Sequence, residues 1–226
     1  MLETFKNAWR IEDLRKKILY TLLMLLVYRI GTSFIPIAGM DVAAIKQTVE
    51  GSDILGFLNM ITGGSLAGFT IFAVGISPYI TASIVMQLLT FAIPALERLS
   101  KEGGEEGREK LKRITRYVGI GLALIMSIGM VMSLRSYMIT TDMLSKITMV
   151  LTLTAGACIV MWMGEKITEK GIGNGVSLII FVGIVARLPV TVWSFMQNIF
   201  AGEVNAWALL PIVVIYVAIV AGVVFI

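Results

Sequence analysis

The sequence predicts an all-α polytopic membrane protein. Of its 226 residues, 57% are hydrophobic and 15% are charged, and the mean hydropathy is +0.88. Soluble domains are about 45–50% apolar and about 25% charged, so much of this surface must face lipid. Uncharged stretches near the length that one membrane helix needs, about 20 residues, recur along the chain. Such stretches, separated by charged turns, are typical of a bundle of membrane-spanning helices.

Six spans are predicted, preceded by a polar segment. Residues 1–17 form an amphipathic segment suited to the membrane interface, and the first span begins at Ile18 and ends near Pro36. Residues 54–96 carry no charge, and because these 43 residues are too many for one helix, we divide them into a short segment and a full span. The short segment is 54–68 and the second span is 69–93. The other spans are expected at 117–134, 147–164, 174–192 and 204–226.

The basic residues give this topology an orientation. Alternating loops place residues 1–17, 97–116 and 165–170 on one side, and these segments hold 14 of the 19 Lys and Arg residues. Cytoplasmic loops carry an excess of Lys and Arg. The N-terminus is therefore predicted to be cytoplasmic, and the other side of the membrane is outside.

The segment 97–116 is predicted to be a basic cytoplasmic loop. A solvated loop whose charge sets the topology is one interpretation. A docking surface for an acidic or RNA-rich partner is the other, and both can hold together. The candidate residues for such a surface are Arg108, Lys110, Lys112, Arg113 and Arg116.

Several function classes lack the residues that they require. There is no histidine and only one cysteine, Cys158, which excludes Ser-His-Asp and Cys-His catalysis and His-ligated metals. Gly171, Gly173 and Gly175 resemble a phosphate-binding loop, but they follow a membrane helix instead of the strand that a dinucleotide site needs. We therefore expect no enzyme and no cofactor. No acidic residue falls in the middle of a span, which disfavours an ion-coupled carrier.

Three separated motifs resemble one protein family. They are Phe72–Leu89 (FAVGISPYITASIVMQLL), Lys101–Arg108 (KEGGEEGR) and Trp162–Phe181 (WMGEKITEKGIGNGVSLIIF). Together they are similar to the SecY family, the central subunits of the bacterial protein-conducting channel. The resemblance runs from about residue 5 to the end of the chain and matches the first half of the family and the start of its sixth helix.

The resemblance implies a specific architecture. The family fold is a pseudo-symmetric ten-helix bundle whose two halves open like a clamshell, and this chain would be one half-shell. Residues 18–193 would form the first five helices, and 194–226 an external loop and the start of the second half. The second half of the same protein would then be a required partner, and we expect this chain to be a fragment because it stops within an apolar stretch. Inverted repeats of membrane proteins enclose a path only together.

Four apolar residues match the family's hydrophobic constriction. They lie four positions apart in two pairs, a spacing that places each pair on one face of a helix. Spacing alone is equally consistent with core or lipid-facing residues. The resemblance implies instead that they belong to a pore ring, whose candidate members are Ile76, Ile80, Val176 and Ile180.

The short segment 54–68 is expected to be a re-entrant or packing loop. The resemblance implies that it is the plug beneath the ring on the outer side, where glycines and few apolar anchors would let it move. We expect its polar side chains Asn59, Thr62 and Ser65 to face water in the outer funnel. The plug candidates are Asn59, Thr62, Gly63, Gly64 and Ser65.

Polar residues in the second span suggest a lateral gate. Ser83 and Gln87 lie four positions apart, and polar side chains in membrane helices usually bond a neighbouring helix. The resemblance implies that this span lines the exit through which signal sequences and membrane segments reach lipid. Asn174 is either a third member of this cluster or an N-cap of the fifth span.

By this resemblance, the protein is a passive gated conduit for unfolded polypeptides in the bacterial cytoplasmic membrane. Implied partners are SecE and SecG, the SecA motor or a translating ribosome, unfolded preproteins with their signal sequences, and the lipid bilayer. A half-transporter for a small solute, an intramembrane enzyme and a structural assembly subunit are the alternatives. The first two would need polar or catalytic groups inside the spans, where the sequence offers little beyond Ser83, Gln87 and Asn174.

Overall fold

The computed structural model describes residues 11–140, 142–200 and 209–225, and this part of the chain is almost entirely helical, as predicted. A 3-10 turn, Arg135–Tyr137, follows the sixth helix. The α-helices are α1 (Glu12–Phe34), α2 (Val42–Glu50), α3 (Asp53–Ile61), α4 (Ser77–Ala92), α5 (Pro94–Lys101), α6 (Gly104–Ser133), α7 (Met143–Lys170), α8 (Gly175–Val185), α9 (Leu188–Phe200) and α10 (Leu209–Phe225).

The chain divides into two compact units, Met1–Ile184 and Val185–Ile226. The first unit contains all of the predicted site residues. The second unit contains α9 and α10, which are apolar helices of 13 and 17 residues. The part of the predicted N-terminal segment before Ile11 lies outside the described residues. So do residues 201–203 of the predicted external loop, and 204–208 and Ile226 of the predicted last span. Residues 12–17 form the first turns of α1, so this part of the polar segment continues directly into the first span.

Four helical stretches among the described residues are long and apolar enough to cross a membrane. They are Glu12–Phe34, Gly104–Ser133, Met143–Lys170 and Gly175–Ser194, where two turn residues at 186–187 interrupt the last one. A fifth crossing is formed by α4 and α5 if this pair counts as one span, although the two helices are bent by 101°. The first, third, fourth and fifth predicted spans are each covered by one of these stretches.

The second predicted span, 69–93, is wrong in its first third. The chain makes turns through residues 69–76, and α4 begins only at Ser77. Phe69 has φ +41° and Gly75 has φ +63°, conformations that a right-handed helix excludes. Pro78 lies in the first turn of α4, where its missing N–H costs no hydrogen bond. An unbroken apolar run did not reveal this turn, because hydropathy does not report backbone dihedrals.

The segment 97–116, which was predicted to be a basic loop between two spans, is almost entirely helical. It contains most of α5 and the first turns of α6, separated near Gly104, whose φ is +54°. Ion pairs one helical turn apart, Lys101–Glu97 at 2.7 Å and Lys110–Glu106 at 2.8 Å, favour this helical state. The many charges indicated solvent exposure correctly, but charged residues are also good helix formers.

The core of the first unit is built around α7, which packs against α6 and α1. Two glycines allow the turn before α4 to lie between these helices. A Cβ placed on Gly156 of α7 would lie 1.8 Å from the carbonyl oxygen of Ile71, and one on Gly31 of α1 would lie 2.1 Å from the ring of Phe72. The backbone of Ile71 is held in addition by its N–H, which donates to the carbonyl of Ile35 at 3.1 Å. The turn is therefore fixed from both sides.

Candidate functional site

The four predicted ring residues lie in one apolar cluster. Ile76 is a buried member of the cluster, and Ile80, Val176 and Ile180 pack against it as half-buried residues. Ile76 immediately precedes α4 and Ile80 lies in its first turn, whereas Val176 and Ile180 come from α8. The sequence spacing was compatible with separate lipid-facing positions, whereas the fold brings both pairs together.

A close contact between backbones positions the two pairs. A Cβ on Gly164 of α7 would lie 3.4 Å from Cδ1 of Ile76 and 3.4 Å from Cγ2 of Val176. A Cβ on Gly175 would lie 2.1 Å from the carbonyl oxygen of Gly164, so α7 and α8 approach closely at this point. Small residues allow such an approach between membrane helices. The result is that α7 forms the rigid back of the cluster.

Exposure distinguishes the four residues. Ile76 is only 5% exposed, so most of its surface is covered within this chain. Ile80, Val176 and Ile180 are half-buried, so each has one side fixed in the cluster and another side free. These four side chains are aliphatic and carry no hydrogen-bonding group. They are therefore suited to a contact that excludes water, and they offer no group for catalysis.

The plug candidates do not face water, and this expectation is wrong. Asn59, Thr62 and Ser65 are 2%, 8% and 0% exposed. Their side chains bond within the segment: the N–H of Ala67 donates to Oδ1 of Asn59 at 2.9 Å, and Oγ of Ser65 donates to the carbonyl of Thr62 at 2.9 Å. The polar groups are buried because they hold the turn that follows α3, and sequence alone did not distinguish this internal use from solvation.

Contacts from other helices anchor the same turn. Nη1 of Arg29 in α1 donates to the carbonyl of Gly63 at 2.8 Å. A Cβ on Gly63 would lie 3.1 Å from Cα of Gly183 in α8, so the turn and α8 are in backbone contact. Leu66 is buried in the larger core cluster, whereas Ile54 and Phe57 of α3 are 74% and 62% exposed. The expectation of few apolar anchors therefore holds for α3 and is wrong for the turn.

The predicted gate residues Ser83 and Gln87 line a cavity of about 400 Å³. The opposite wall includes Arg108 and Lys112, two of the five predicted basic residues, on the first turns of α6. Phe91 also lines the cavity, near the bend between α4 and α5. The structure thus joins two predicted groups of residues that the sequence treated separately.

Asn174 caps α8, which was one of its two predicted roles. Its Oδ1 accepts hydrogen bonds from the backbone N–H groups of Val176 at 3.0 Å and Ser177 at 3.2 Å. An N-cap of this kind satisfies N–H groups that have no partner within the helix. Asn174 does not line the cavity that contains Ser83 and Gln87.

The structure also contains an ion pair that the sequence analysis missed. Arg116 of α6 donates two hydrogen bonds to the carboxylate of Glu165 in α7, one of them from Nε at 3.3 Å. The Glu165 side chain is 5% exposed and the Arg116 side chain is 48% exposed. These residues flank the third and fourth predicted spans, and the antiparallel order of two consecutive spans would have indicated that they meet.

Removing the arginine should destabilise the protein. In Arg116→Met the Glu165 carboxylate stays buried without its partner, and loss of one member of a buried pair costs about 3–5 kcal/mol. Because Arg116 is half-exposed, we expect about 2 kcal/mol, or a fall in Tm of roughly 5 °C, by thermal unfolding in detergent. Arg113→Met, an exposed position three residues earlier, is the matched control. Equal Tm values for the two variants would show that the pair contributes nothing.

The residues that the structure describes contain no group of three or more His, Cys, Asp or Glu side chains placed to hold a metal ion. The single cysteine, Cys158, is half-buried on α7. The arrangement of the first unit is therefore an apolar cluster flanked by an anchored turn and a polar, basic cavity.

Comparison with known proteins identifies a common family. The profile of the SecY family matches residues 70–226. The protein translocase subunit SecY of Streptomyces scabiei is 44% identical over 214 residues, which cover 88% of this chain and 48% of that protein. The subunit of the same name from Synechocystis sp. is 42% identical over 226 residues, covering 99% of this chain and 51% of that protein. The chain thus spans about half the length of these relatives.

Solved structures share the fold at low sequence identity. A structure of a protein-conducting channel aligns with 83% of this chain at 20% identity and a TM-score of 0.62. A second structure is of a SecY protein whose plug domain stabilises the closed channel and maintains a membrane seal. It aligns with 83% of this chain at 21% identity and a TM-score of 0.61. Sec61 in the canine ribosome–channel complex aligns with 83% at 20% identity and a TM-score of 0.58. Together with the candidate spans, these similarities show a multi-pass membrane protein.

Proposed function

This chain belongs to the SecY family, and we propose on that premise that it forms one side of a gated channel for unfolded secretory polypeptides, which also releases membrane segments into the lipid. The observation that carries this proposal is the convergence of Ile80, Val176 and Ile180 in one cluster, each with a free side. The relatives are named protein translocase subunits, and the channel structures share the fold.

The half-buried residues of the apolar cluster, Ile80, Val176 and Ile180, would form the constriction of this channel, which we call the collar. Aliphatic side chains offer an ion no replacement for its hydration shell, and a narrow apolar collar can lose its water and close. The same side chains give an extended polypeptide no fixed hydrogen-bond partner, so many sequences can slide past. Ile76 is nearly covered within the chain, and we therefore place it behind the collar as its support. A second set of helices, equivalent to the second half of the relatives, would complete the collar.

The segment from α3 through the following turn would be the plug. Its turn is held by Arg29 and contacts Gly183 of α8, close in sequence to Ile180 of the collar. Separation of α8 from α1 would therefore disturb the anchors of the turn. The exposed apolar face of α3, which includes Ile54 and Phe57, would lose little on leaving its position.

The lateral gate would be formed by α4. Its polar residues Ser83 and Gln87 face the cavity toward α6, whereas Ile84 and Leu88 on another face are 53% and 65% exposed. We therefore propose that the exposed apolar face meets departing membrane segments, and that the polar row holds α4 against α6. Asn174 would contribute by fixing the start of α8.

Energy and partners would come from outside this chain. We propose that a translating ribosome or the SecA motor supplies the driving force, and that SecE and SecG complete the complex. Support comes from the likeness to Sec61 in a ribosome–channel complex and from the basic first turns of α6. The excess of Lys and Arg on one side supports a cytoplasmic N-terminus in a bacterial cytoplasmic membrane. The proposed function is transport and involves no enzymatic step in this chain.

Cysteine accessibility tests the plug. Ser65 is completely buried, so after replacing Cys158 by Ala, Ser65→Cys should resist a membrane-impermeant maleimide applied from outside while the complete channel rests. During transport of a preprotein we expect modification at least about tenfold faster, because local opening exposes the thiol. Loss of the Arg29 anchor in Arg29→Met should raise the resting rate.

The exposed position Phe57→Cys is the control, since it should react in both states. Equal protection of Ser65→Cys with and without verified transport would contradict the plug assignment. That result would not bear on the assignment of the collar residues, which is tested separately by ion conductance.

A further inference from the structure

A second cavity lies on the other side of the first unit, between the end of α6 and the start of α7. It has a volume of about 680 Å³ and an open side. Its walls are mostly apolar, and two cations, Arg135 and Lys146, line one end. The apolar residues are largely exposed in this chain, as shown by Leu124, Ile128, Met132, Ile147 and Leu151, which are 39%, 40%, 69%, 48% and 59% exposed.

The positions of the two cations correspond to the headgroup level of a bilayer. The Arg116–Glu165 pair joins α6 and α7 at the cytoplasmic ends of the third and fourth predicted spans in the proposed orientation. Arg135 lies 19 residues after Arg116, and Lys146 lies 19 residues before Glu165. At about 1.5 Å per residue, both separations are roughly 28 Å, close to the thickness of about 30 Å of the hydrocarbon core. The two cations therefore mark the outer boundary of the same membrane that the ion pair marks on the inside.

The polarity of the groove changes along its length. From the cations, the wall on α6 runs through Met132 and Ile128 to Leu124, and the wall on α7 runs through Ile147 to Leu151. These positions follow helical spacing, so they line one continuous strip on each helix. Among the residues that the structure describes, neither Arg135 nor Lys146 forms an ion pair. Their charge is thus available to a ligand.

We propose that this groove binds an anionic phospholipid of the outer leaflet, with its phosphate group between Arg135 and Lys146 and an acyl chain along the apolar strips. The charge complementarity and the depth of the cations select this occupant. A hydrophobic helix of another protein would fill the apolar strips but would leave two cations without an anion. This site is separate from the collar, the plug and the cavity at Ser83. Its assignment to the outer leaflet rests on the proposed orientation, but the site does not depend on the proposed channel function.

Photocrosslinking in vesicles of known composition tests the proposal. A photoreactive phenylalanine derivative replaces Met132 in the full chain, in bilayers of about 75% phosphatidylethanolamine and 25% phosphatidylglycerol, and mass spectrometry identifies the adducts. Two cations near the surface should enrich phosphatidylglycerol in the adducts at least about fivefold over its share of the bilayer. The same derivative at Ile125, an exposed residue of α6 outside the groove, should give adducts in the bulk ratio.

Charge variants separate a site from general attraction. Arg135→Gln combined with Lys146→Gln should return the Met132 adducts to the bulk ratio, whereas Arg135→Lys should keep the enrichment. Lys46→Gln, at an exposed position of α2 outside the groove, should change nothing. Bulk-ratio adducts at Met132 in the unaltered chain, or enrichment that survives the double variant, would overturn the proposal. Adducts with a second polypeptide in place of lipid would overturn it too and would make the groove a protein interface.

Discussion

Replacing Ile80 and Ile180 by serine is expected to raise the resting ion leak of the complete channel at least about tenfold, because hydroxyl groups retain water in a constriction that aliphatic side chains keep dry. Both side chains are half-buried in the same cluster and keep a free side. The leak is measured as the ion conductance of vesicles into which the complete channel has been reconstituted. The effect should be largest in the absence of a translocating polypeptide.

A matched substitution on the same helix provides the control. Ile84→Ser, on α4 but outside the cluster, should leave conductance unchanged. Ile76→Ser should differ from both, since Ile76 is 5% exposed and a serine there would be a buried hydroxyl that mainly lowers stability. If the Ile80 and Ile180 double variant shows no increase in ion conductance, these residues do not belong to the collar. Equal leak in the Ile84 control would show nonspecific disruption.

The largest loss of stability is expected from Gly156→Ala. The new methyl carbon would lie 1.8 Å from the carbonyl oxygen of Ile71, and the backbone of this residue is already held by the hydrogen bond from its N–H to the carbonyl of Ile35. Neither backbone can yield without separating α7 from the turn before α4. We expect a destabilisation of about 3 kcal/mol or more, seen as a fall in Tm of roughly 10 °C in detergent.

The neighbouring helix offers the control for this variant. Nothing lies within 4 Å of a Cβ placed on Gly129 in α6, so Gly129→Ala should be neutral or should stabilise the helix by about 0.5–1 kcal/mol. The comparison separates close packing from helix propensity, which acts in the same favourable direction at both positions. If Gly156→Ala unfolds at the same temperature as Gly129→Ala, the approach of α7 to the turn is looser than described.

Buried polar groups account for the wrong prediction about the plug side chains. Asn59 and Ser65 were expected to face water because their side chains are polar, yet each satisfies a group within the same turn. A polar side chain in an apolar segment can form its hydrogen bonds with water or with the backbone of the same segment. Only the path of the backbone distinguishes these two cases. The same limitation hid the contact of Arg29 with the carbonyl of Gly63, which lies 34 positions away.

The amino-acid sequence was sufficient to predict the features that depend on the solvent, namely an all-α chain and most of its apolar spans, because transfer of charge into hydrocarbon is costly at every position. It also carried the family motifs. Which residues share a surface became clear only from the three-dimensional fold. The turn at 69–76 depends on dihedral angles. The packing of Ile80 and Ile180 against one cluster depends on the close approach of α7 and α8 at Gly164, and the groove at Arg135 depends on the pairing of two helices. These are contacts between distant parts of the chain, and hydropathy contains no information about them.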